Sequence, residues 1–363
     1  MPFQKKAKDM ISHEEWQIIA QAVFEIDNSN KFLQYTNEIS DSLSKVIEND
    51  YKQEAKEPKI VEDLSNAINS VQTVSDQLEA GLIFSSDIHA VFIHGKKSFV
   101  EFSLAGSKCR RELGDVIFFS SLAWNGKIVA ERITINQVKN ENPKSKSSWG
   151  IDKTQFFLLT RFPTFKGVSG FFNGNTINVV NETGCLGSYG LLKNPNDFVF
   201  MGSMILDACL GGKSTLKKDS FLCFNLLNKL RSIRSLGFSP FYLRSRFWYR
   251  SVEYCPNVYD FVRSYCRLLI GEPVCGYYGF NSSIKSLVDI IKNFANKKAK
   301  EEKTTKGLQA LVTSFSRFPY AYQETSGSNN GRVIEDIPSV ETETGEDGGL
   351  AIIHSMINIG ERT

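Results

Sequence analysis

Residues 111–140 read RELGDVIFFSSLAWNGKIVAERITINQVKN and contain the pattern that decides the fold. Gly114-Asp115 opens one apolar run, Asn125-Gly126 marks a turn, and a second apolar run ends in Gln137-Val138-Lys139. Two β-prone runs joined by Asn-Gly are typical of a β-hairpin. The sequence therefore predicts a hairpin with a carboxylate, an amide and an ammonium group at its open end.

The register of this hairpin decides whether the three polar side chains share a face. Side chains two residues apart point to the same face of a strand, so Gln137 and Lys139 lie together. A two-residue loop at Asn125-Gly126 turns Asp115 away from Gln137, whereas a three-residue loop over 124–126 places Asp115 on the Gln137 face. We predict a bulged or three-residue connection, because only such a register assembles a site.

The hairpin resembles the PD-(D/E)xK nuclease superfamily of restriction enzymes and repair nucleases. In that family an acidic residue opens one strand of a hairpin, and a D/E-x-K triplet ends the next strand. Here Gly114-Asp115 stands for the PD element and Gln137-Val138-Lys139 for the triplet. Gln in place of Glu is a departure for which Mrr-type restriction enzymes are known. The resemblance covers roughly residues 61–175.

The resemblance implies a mixed α/β fold and a metal-dependent reaction. The expected architecture is a central mixed sheet flanked by helices, a restriction-endonuclease-like core with helical additions at both ends. The expected cofactor is Mg²⁺ or Mn²⁺, which prefers oxygen ligands. Asp115 is then its main anionic ligand, and the Gln137 amide and the Val138 carbonyl offer neutral oxygens. Lys139 orients the attacking water and stabilises negative charge.

A second carboxylate is needed to replace the negative charge that Gln137 lacks. Two residues are candidates as catalytic or metal-binding groups. Glu112 lies three residues before Asp115 and reaches the site if Gly114 kinks the strand. Glu79 falls near the expected end of the preceding helix, where the family often adds an acid. For each, the alternative is a surface salt bridge.

Composition indicates an ordinary globular protein. The 363 residues are 41% hydrophobic, enough for one large domain or two ordinary ones. No run approaches the length of a membrane-spanning segment, and the start, MPFQKKAKDM, lacks the apolar stretch of a signal peptide. We therefore expect a cytoplasmic protein without membrane contact. The seven cysteines form no CxxC pair, which indicates reduced core thiols rather than disulfides or a zinc site.

Charge is distributed unevenly along the chain. Residues 1–80 hold 8 Lys and 15 Asp or Glu, a net charge of −7, whereas residues 204–268 hold 11 Lys or Arg and 4 acids, a net charge of +7. Within 231–254, arginines alternate with aromatic residues, a mixture suited to phosphate contact and base stacking. Buried aromatics with outward arginines are the alternative. The candidate nucleic-acid contacts are Arg231, Arg234, Arg244, Arg246 and Arg250.

Local patterns predict the order of elements. Apolar spacing of three and four residues predicts helices around 16–24 and 64–78, with a loop between them at 49–63. Short β-prone runs follow from about residue 82, and Asp152 is the expected N-cap of a helix over 153–161. The segments expected are an acidic helical region (1–60), the nuclease-like core (61–175), further sheet with a basic aromatic and helical region (176–323), and an acidic flexible linker with an apolar end that docks as a strand (324–363).

These observations lead to three hypotheses. The first is a Mg²⁺-dependent nuclease that hydrolyses phosphodiester bonds of DNA, with a role in bacterial defence against foreign DNA. The second is a nucleic-acid-binding or sensor protein that keeps the fold without the catalysis. The third is a structural or interaction protein in which the polar hairpin end is incidental. The expected partner is nucleic acid, DNA rather than RNA, and assembly into a homo-oligomer stays open.

Overall fold

The computed structural model describes residues 11–95, 98–141, 148–210, 221–225, 251–277, 279–301, 306–321 and 349–361. Within these ranges the chain has a mixed α/β fold, in which helices flank a large sheet with parallel and antiparallel strands. This confirms the fold class expected from the sequence. None of the described helices is both long and apolar enough to cross a membrane.

Side-chain caps mark the start of several of the described helices. Ser12 caps the first helix and exchanges hydrogen bonds with Glu15, a capping box. Pro58 lies in the first turn of the third helix, where its missing N–H costs nothing. The helices are α1 (His13–Asn28), α2 (Asn30–Lys52), α3 (Glu57–Ile68), α4 (Lys153–Arg161), α5 (Ser203–Cys209), α6 (Val258–Cys266), α7 (Ser282–Glu301) and α8 (Lys306–Ser316).

Strands supply three sheets. They are β1 (Val74–Gln77), β2 (Leu82–His94), β3 (Phe99–Leu104), β4 (Ser107–Glu112), β5 (Val116–Trp124), β6 (Lys127–Lys139), β7 (Ser148–Asp152), β8 (Phe165–Gly167), β9 (Thr176–Ile177), β10 (Gly187–Lys193), β11 (Asp197–Gly202), β12 (Phe221–Asn225), β13 (Tyr254–Cys255), β14 (Glu272–Gly276), β15 (Gly279–Phe280) and β16 (Gly349–Glu361). The main sheet has the order β1-β2-β16-β5-β6-β10-β11-β13, with β14 beside β6 and β15 beside β14. The smaller sheets are β4-β3-β8-β9 and β12-β7.

Both faces of the main sheet are covered. One hydrophobic cluster joins the sheet to α1, α2, α3 and α6, and a second joins it to α4, α7, α8 and the four-stranded sheet. Ile117 and Ile135 of the hairpin belong to one cluster, and Val116 and Val138 to the other. Burial on both faces explains why these strands read as nearly continuous apolar runs.

The β5–β6 hairpin has a two-residue turn followed by a bulge. Asn125 and Gly126 both have positive φ, 46° and 75°, as a tight hairpin turn requires. Trp124 pairs with Lys127, but the pairing shifts between Leu122 and Ala123 because Val129 is an extra residue on β6. A bulge is therefore present, but it lies at Val129 and not in the predicted connection at 124–126, and the three-residue loop is wrong.

This bulge sets the register at the open end of the hairpin. Val116 pairs with Asn136, so the same register places Asp115 opposite Gln137. The three-residue loop would have placed Asp115 opposite Ile135 instead. Directly opposite residues share a face of the sheet. The face expected for Asp115 is thus correct, and its neighbour on that face is Gln137 itself.

The apolar stretch 349–361 forms the strand β16 in the middle of the main sheet. Its thirteen residues pair antiparallel with β2 and, over Ala351 to Ile359, parallel with β5. The Ala351 N–H donates to the Asp115 carbonyl at 2.9 Å. The expectation that this stretch docks as a strand is confirmed, and the strand is an internal one next to the polar end of the hairpin.

Two of the expected elements need correction. The helix expected over 64–78 ends at Ile68, and Val74–Gln77 forms β1 with alternating exposure. The loop expected at 49–63 is limited to residues 53–56, because α2 continues to Lys52 and α3 starts at Glu57. The expected segment boundary between 60 and 61 falls inside α3, and strands from all three later segments share the main sheet. By contrast, α4 has the bounds and the Asp152 cap that we expected.

A buried polar network lies at the other end of the hairpin. The Glu131 side chain is fully buried, and its carboxylate accepts hydrogen bonds from Lys292 Nζ at 2.7 Å, Tyr320 Oη at 2.5 Å and Ser121 Oγ at 2.9 Å. Ser121 Oγ also lies 2.9 Å from His354 Nε2 on β16. The network therefore links β5, β6, α7 and β16 through one buried carboxylate.

Candidate active site

Asp115 and Gln137 meet at the open end of the hairpin. Asp115 Oδ2 accepts hydrogen bonds from the Val138 N–H at 2.8 Å and from Gln137 Nε2. The Asp115 N–H donates to the Asn136 carbonyl at 2.9 Å, a hydrogen bond one residue off the ladder register, because Asn136 pairs with Val116. Gln137 and Val138 are buried, whereas Asp115 is half-buried. One carboxylate oxygen is thus fixed by the second strand, and Oδ1 has no hydrogen-bond partner among the described residues.

Gln155 of α4 fixes the other end of the Gln137 amide. Its Nε2 donates to Gln137 Oε1 and, at 3.2 Å, to the Glu112 carbonyl. Its own N–H is bound by the α4 cap, Asp152, at 2.8 Å. The oxygen of Gln137 that we expected to bind a metal ion therefore already accepts a hydrogen bond, and the amide nitrogen faces Asp115.

Lys139 is held by a carboxylate that the sequence analysis did not identify. Its Nζ lies 3.0 Å from Glu57 Oε2, and the Asn140 N–H donates to Glu57 Oε1 at 3.0 Å. Burial alone would lower the pKa of the Lys139 ammonium, but the Glu57 and Asp115 carboxylates outweigh it and the net shift is upward. Lys139 is therefore a fixed positive charge beside Asp115.

Glu112 reaches the site because the chain changes sheets at Leu113-Gly114. β4 ends at Glu112 in the four-stranded sheet, and β5 begins at Val116 in the main sheet. A Cβ on Gly114 would lie 2.7 Å from Ile135 Cγ2 and 3.0 Å from the Asn136 carbonyl oxygen, so only glycine fits this crossing. Glu112 Oε1 is buried and has no hydrogen-bond partner among the described residues.

Both carboxyl groups have raised pKa values. Burial raises the pKa of Glu112 to about 8, and the neighbouring Asp115 charge adds to the shift. Burial also raises the pKa of Asp115 to about 6, although Lys139 and the two hydrogen bonds from β6 oppose it. Two carboxyl groups that resist ionisation next to an ammonium are typical of functional sites.

Tyr189 is a further member of this site. It lies on β10, which runs parallel to β6, and its pairing partner in the sheet is Gln137. Its ring is fully buried, and its hydroxyl has no hydrogen-bond partner among the described residues. The negative charges of Asp115 and Asp152 add to the effect of burial in raising the pKa of Tyr189. No local sequence signal marks Tyr189, because its position depends on a parallel crossover.

Glu79 does not belong to the site. It lies in a 3-10 turn just before Leu82, which pairs with Glu361 at one end of β16. Asp115 lies at the other end, where Ala351 pairs with Val116. About ten residues of strand separate the two ends, roughly 30 Å. The helical acid at the site is Glu57, and it contacts Lys139.

The expected arginine contacts concern a region that is not described. All five arginines, Arg231, Arg234, Arg244, Arg246 and Arg250, fall within residues 226–250, outside the described part of the chain. The net charge of +7 over residues 204–268 remains a property of the sequence. Their role in nucleic-acid binding therefore stays a prediction.

The oxygen donors of the site fit a hard divalent cation. The described residues contain no group of three or more His, Cys, Asp or Glu side chains arranged to hold a metal ion. The site does offer two carboxyl groups, Asp115 and Glu112, and an unpartnered oxygen on each. Mg²⁺ in proteins is commonly bound by one or two carboxylates and keeps several water ligands. Asp115 and Glu112 are therefore the residues that would hold it.

Comparisons with known proteins give the chain no family. No family model matches its sequence, and neither the curated proteins nor the solved structures contain a match. Function must therefore be inferred from the geometry and chemistry around Asp115.

Proposed function

We propose that this protein is a metal-dependent nuclease that hydrolyses phosphodiester bonds of DNA. The observation that carries the proposal is the convergence of Asp115, Glu112 and Lys139 at the open end of one hairpin. The two carboxyl groups have raised pKa values and an unpartnered oxygen each, next to a braced ammonium. Metal-assisted phosphodiester hydrolysis uses anionic ligands for the cation and positive charge beside the phosphate, and these residues offer both.

Each residue has a definite task in this proposal. Asp115 and Glu112 bind the cation, which supplies charge neutralisation at the phosphate and makes a water more acidic. Lys139 holds positive charge where negative charge develops on the phosphate, and Glu57 keeps the ammonium in place. Gln137 and Gln155 form a chain of hydrogen bonds that orients Asp115.

A second candidate function is DNA binding without cleavage. The orientation of Gln137 supports it, because the amide nitrogen satisfies Asp115 where a nuclease of the resembled family has a second carboxylate. Nicking and degradation of plasmid, linear and single-stranded DNA with Mg²⁺ or Mn²⁺ separates the two functions. Cleavage that depends on added metal supports the nuclease. Retained DNA binding with no cleavage under any of these conditions supports the binding protein.

Gln137→Glu is expected to tighten metal binding and to destabilise the metal-free protein. The new carboxylate faces Asp115 Oδ2 in place of the amide nitrogen, so two like charges meet unless a cation or a proton separates them. We expect a loss of about 1–3 kcal/mol in unfolding free energy without metal, since a buried hydrogen bond is also removed. The measurement is thermal unfolding with and without Mg²⁺, where the variant gains more stability from the metal than wild type.

The matched control for this variant is Gln72→Glu, which adds the same charge at an exposed position outside the site. Its stability should respond to Mg²⁺ as wild type does. If Gln137→Glu and Gln72→Glu gain the same stability from Mg²⁺, position 137 does not face the cation. Because Asp115 is the direct neighbour of position 137, the assignment of the cation to Asp115 would then be wrong.

Mg²⁺ affinity is expected to rise with pH through the range in which Glu112 loses its proton. The pKa of Glu112 is about 8, so at neutral pH the carboxyl is protonated and the cation must displace the proton. Each displaced proton makes affinity rise by up to about tenfold per pH unit below the pKa. Glu112→Gln should remove this rise and leave only the part that comes from Asp115 near pH 6. Calorimetric Mg²⁺ titrations between pH 6 and pH 9 measure it.

The same group has an opposite effect on the stability of the metal-free protein. Folding raises the pKa of Glu112 from 4.5 to about 8, so the folded state holds the proton more strongly. The protonated Glu112 therefore contributes its full share of the unfolding free energy at low pH, and this share is lost as pH rises from about 4.5 to about 8. Glu112→Gln should flatten this decline, whereas the exposed Glu38→Gln should not. If stability declines with pH in Glu112→Gln as strongly as in Glu38→Gln, Glu112 is not the group responsible and its place in the site is wrong.

A further inference from the structure

The outward face of the four-stranded sheet leads directly to the site. Cys109 of β4 pairs with Phe102 of β3, and both are buried, so this row of side chains faces the core. Successive residues alternate between faces of a strand. Lys108, Arg110 and Glu112 therefore lie on the opposite face, with Lys108 exposed and Arg110 half-buried. The row ends at the carboxyl group that we assign to the cation.

A third cation extends this face across the sheet. Glu101 of β3 pairs with Arg110 on one side and with Lys166 of β8 on the other, so all three share the outward face. Lys166 is exposed. Lys108, Arg110 and Lys166 make no ion pair with any residue in the described ranges, and Glu101 is the only acid besides Glu112 in these four strands. We call this face, formed by Lys108, Arg110 and Lys166, the basic platform.

An aromatic ring fixes the middle cation of the basic platform. The Arg110 guanidinium carbon lies 5.3 Å from the centroid of the Phe99 ring, within the range of a cation–π contact. Phe99 pairs with Glu112, so the contact directs Arg110 toward the site end of β4. Its neighbour Arg111 points to the other face and pairs with Asp152 at 3.2 Å. Because neighbouring residues of a strand point to opposite faces, Arg111 packs against α4 and Arg110 lies on the outward face.

The two cations of β4 follow Glu112 along one straight row. Alternate residues of a strand are about 7 Å apart, so Arg110 and Lys108 lie about 7 and 14 Å from Glu112 along β4. Phosphates of one DNA strand follow each other at about 3.4 Å along the helix axis. A DNA strand therefore places about four phosphates along its axis over these roughly 14 Å, and both cations lie within that length. Lys166 lies two strands away, about 10 Å across the sheet.

We infer that the basic platform binds the phosphate backbone of DNA next to the phosphate that is cleaved. This inference rests on the proposed function, because the row of cations ends at Glu112, the carboxyl group that we assign to the cation. Phosphate contacts by lysine and arginine position a duplex without reading its sequence. DNA that reaches the site would therefore lie along the four-stranded sheet. We expect the binding that these three residues supply to have no sequence preference.

The test is DNA binding without divalent metal, so that cleavage does not interfere. The probe is a short fluorescent duplex, and its dissociation constant is measured over a range of salt concentrations for Lys108→Ala/Lys166→Ala and for Arg110→Ala. Each lost phosphate contact lowers the slope of log affinity against log salt by about 0.9. We expect the slope to fall by about two for the double variant and by about one for Arg110→Ala.

The matched control is Lys45→Ala/Lys127→Ala, which removes two exposed lysines from α2 and from the turn end of the hairpin. Its slope should equal that of wild type. An unchanged slope in the platform variants overturns the inference, and so does an equal fall in the control or a wild type that binds no duplex. Because binding is measured without metal, a lower slope supports the platform even if wild type never cleaves DNA. If wild type cleaves DNA with metal but the platform variants keep the wild-type slope, the proposed nuclease function stands and the role of the basic platform in DNA binding is refuted.

Discussion

Lys139→Ala is expected to abolish DNA cleavage while leaving the fold intact. The change removes the Lys139 ammonium next to Asp115, and positive charge at the phosphate is commonly worth at least about 100-fold in rate. Its partner Glu57 keeps a side-chain exposure of 30%, so water can solvate the carboxylate that is left behind. Asp115→Ala should abolish cleavage equally and should also weaken Mg²⁺ binding. The measurement is the rate of plasmid nicking with saturating Mg²⁺, beside the thermal unfolding of each variant.

Lys59→Ala is the matched control for Lys139→Ala. Lys59 lies on α3, two residues after Glu57, and pairs with Asp63 at the surface. Loss of such a surface pair changes stability little. We expect its cleavage rate to equal that of wild type. Cleavage that survives both Lys139→Ala and Asp115→Ala would place the active site elsewhere in the chain.

Lys292→Ala is expected to be the most destabilising substitution considered for this protein. Lys292 Nζ lies 2.7 Å from the fully buried Glu131 carboxylate, and the change leaves that charge without its ammonium partner. Removing one partner of a buried ion pair costs about 3–5 kcal/mol. Urea unfolding at neutral pH should show this loss as a lower midpoint with an unchanged slope.

The exposed Lys297 lies on the same helix and provides the control. Lys297→Ala should cost less than about 1 kcal/mol, as is usual for surface substitutions. Lys292→Met combined with Glu131→Gln should recover part of the loss, because both charges are then removed together. A loss below about 1 kcal/mol for Lys292→Ala would contradict a stabilising ion pair between Lys292 and Glu131.

Local patterns predicted the elements that depend on nearby residues. The bounds of α4 follow from its Asp152 cap and from Pro163, and the hairpin follows from two apolar runs around Asn125-Gly126. The same spacing rules failed over 71–78, because a spacing of four residues, as between Val74 and Leu78, fits one face of a strand as well as one face of a helix. That error placed Glu79 on a helix near the site, whereas β1 carries the chain to the far end of the sheet.

The parts of the site that come from distant segments were not predictable from local patterns. Glu57 precedes Lys139 by 82 residues, and Tyr189 follows Gln137 on a strand reached through α4. Pro58 marks a helix start, which places Glu57 in a first turn, but it does not say which strand end the helix meets. A bulged connection was predicted from the sequence, but its position at Val129 was not, because the residues on both sides of Val129 have the composition of an ordinary strand.

The position of β16 has a consequence for the order in which the protein is made. A ribosome releases residues 349–361 after every other described strand, yet this segment fills the gap between β2 and β5. A nascent chain that lacks it holds two long hydrophobic strands with open hydrogen-bonding edges, the arrangement that favours pairing with other chains. The Ala351 N–H that binds the Asp115 carbonyl is missing at that stage as well. The same segment thus completes both the sheet and the strand that presents Asp115, and it does so only after the other described strands have been made.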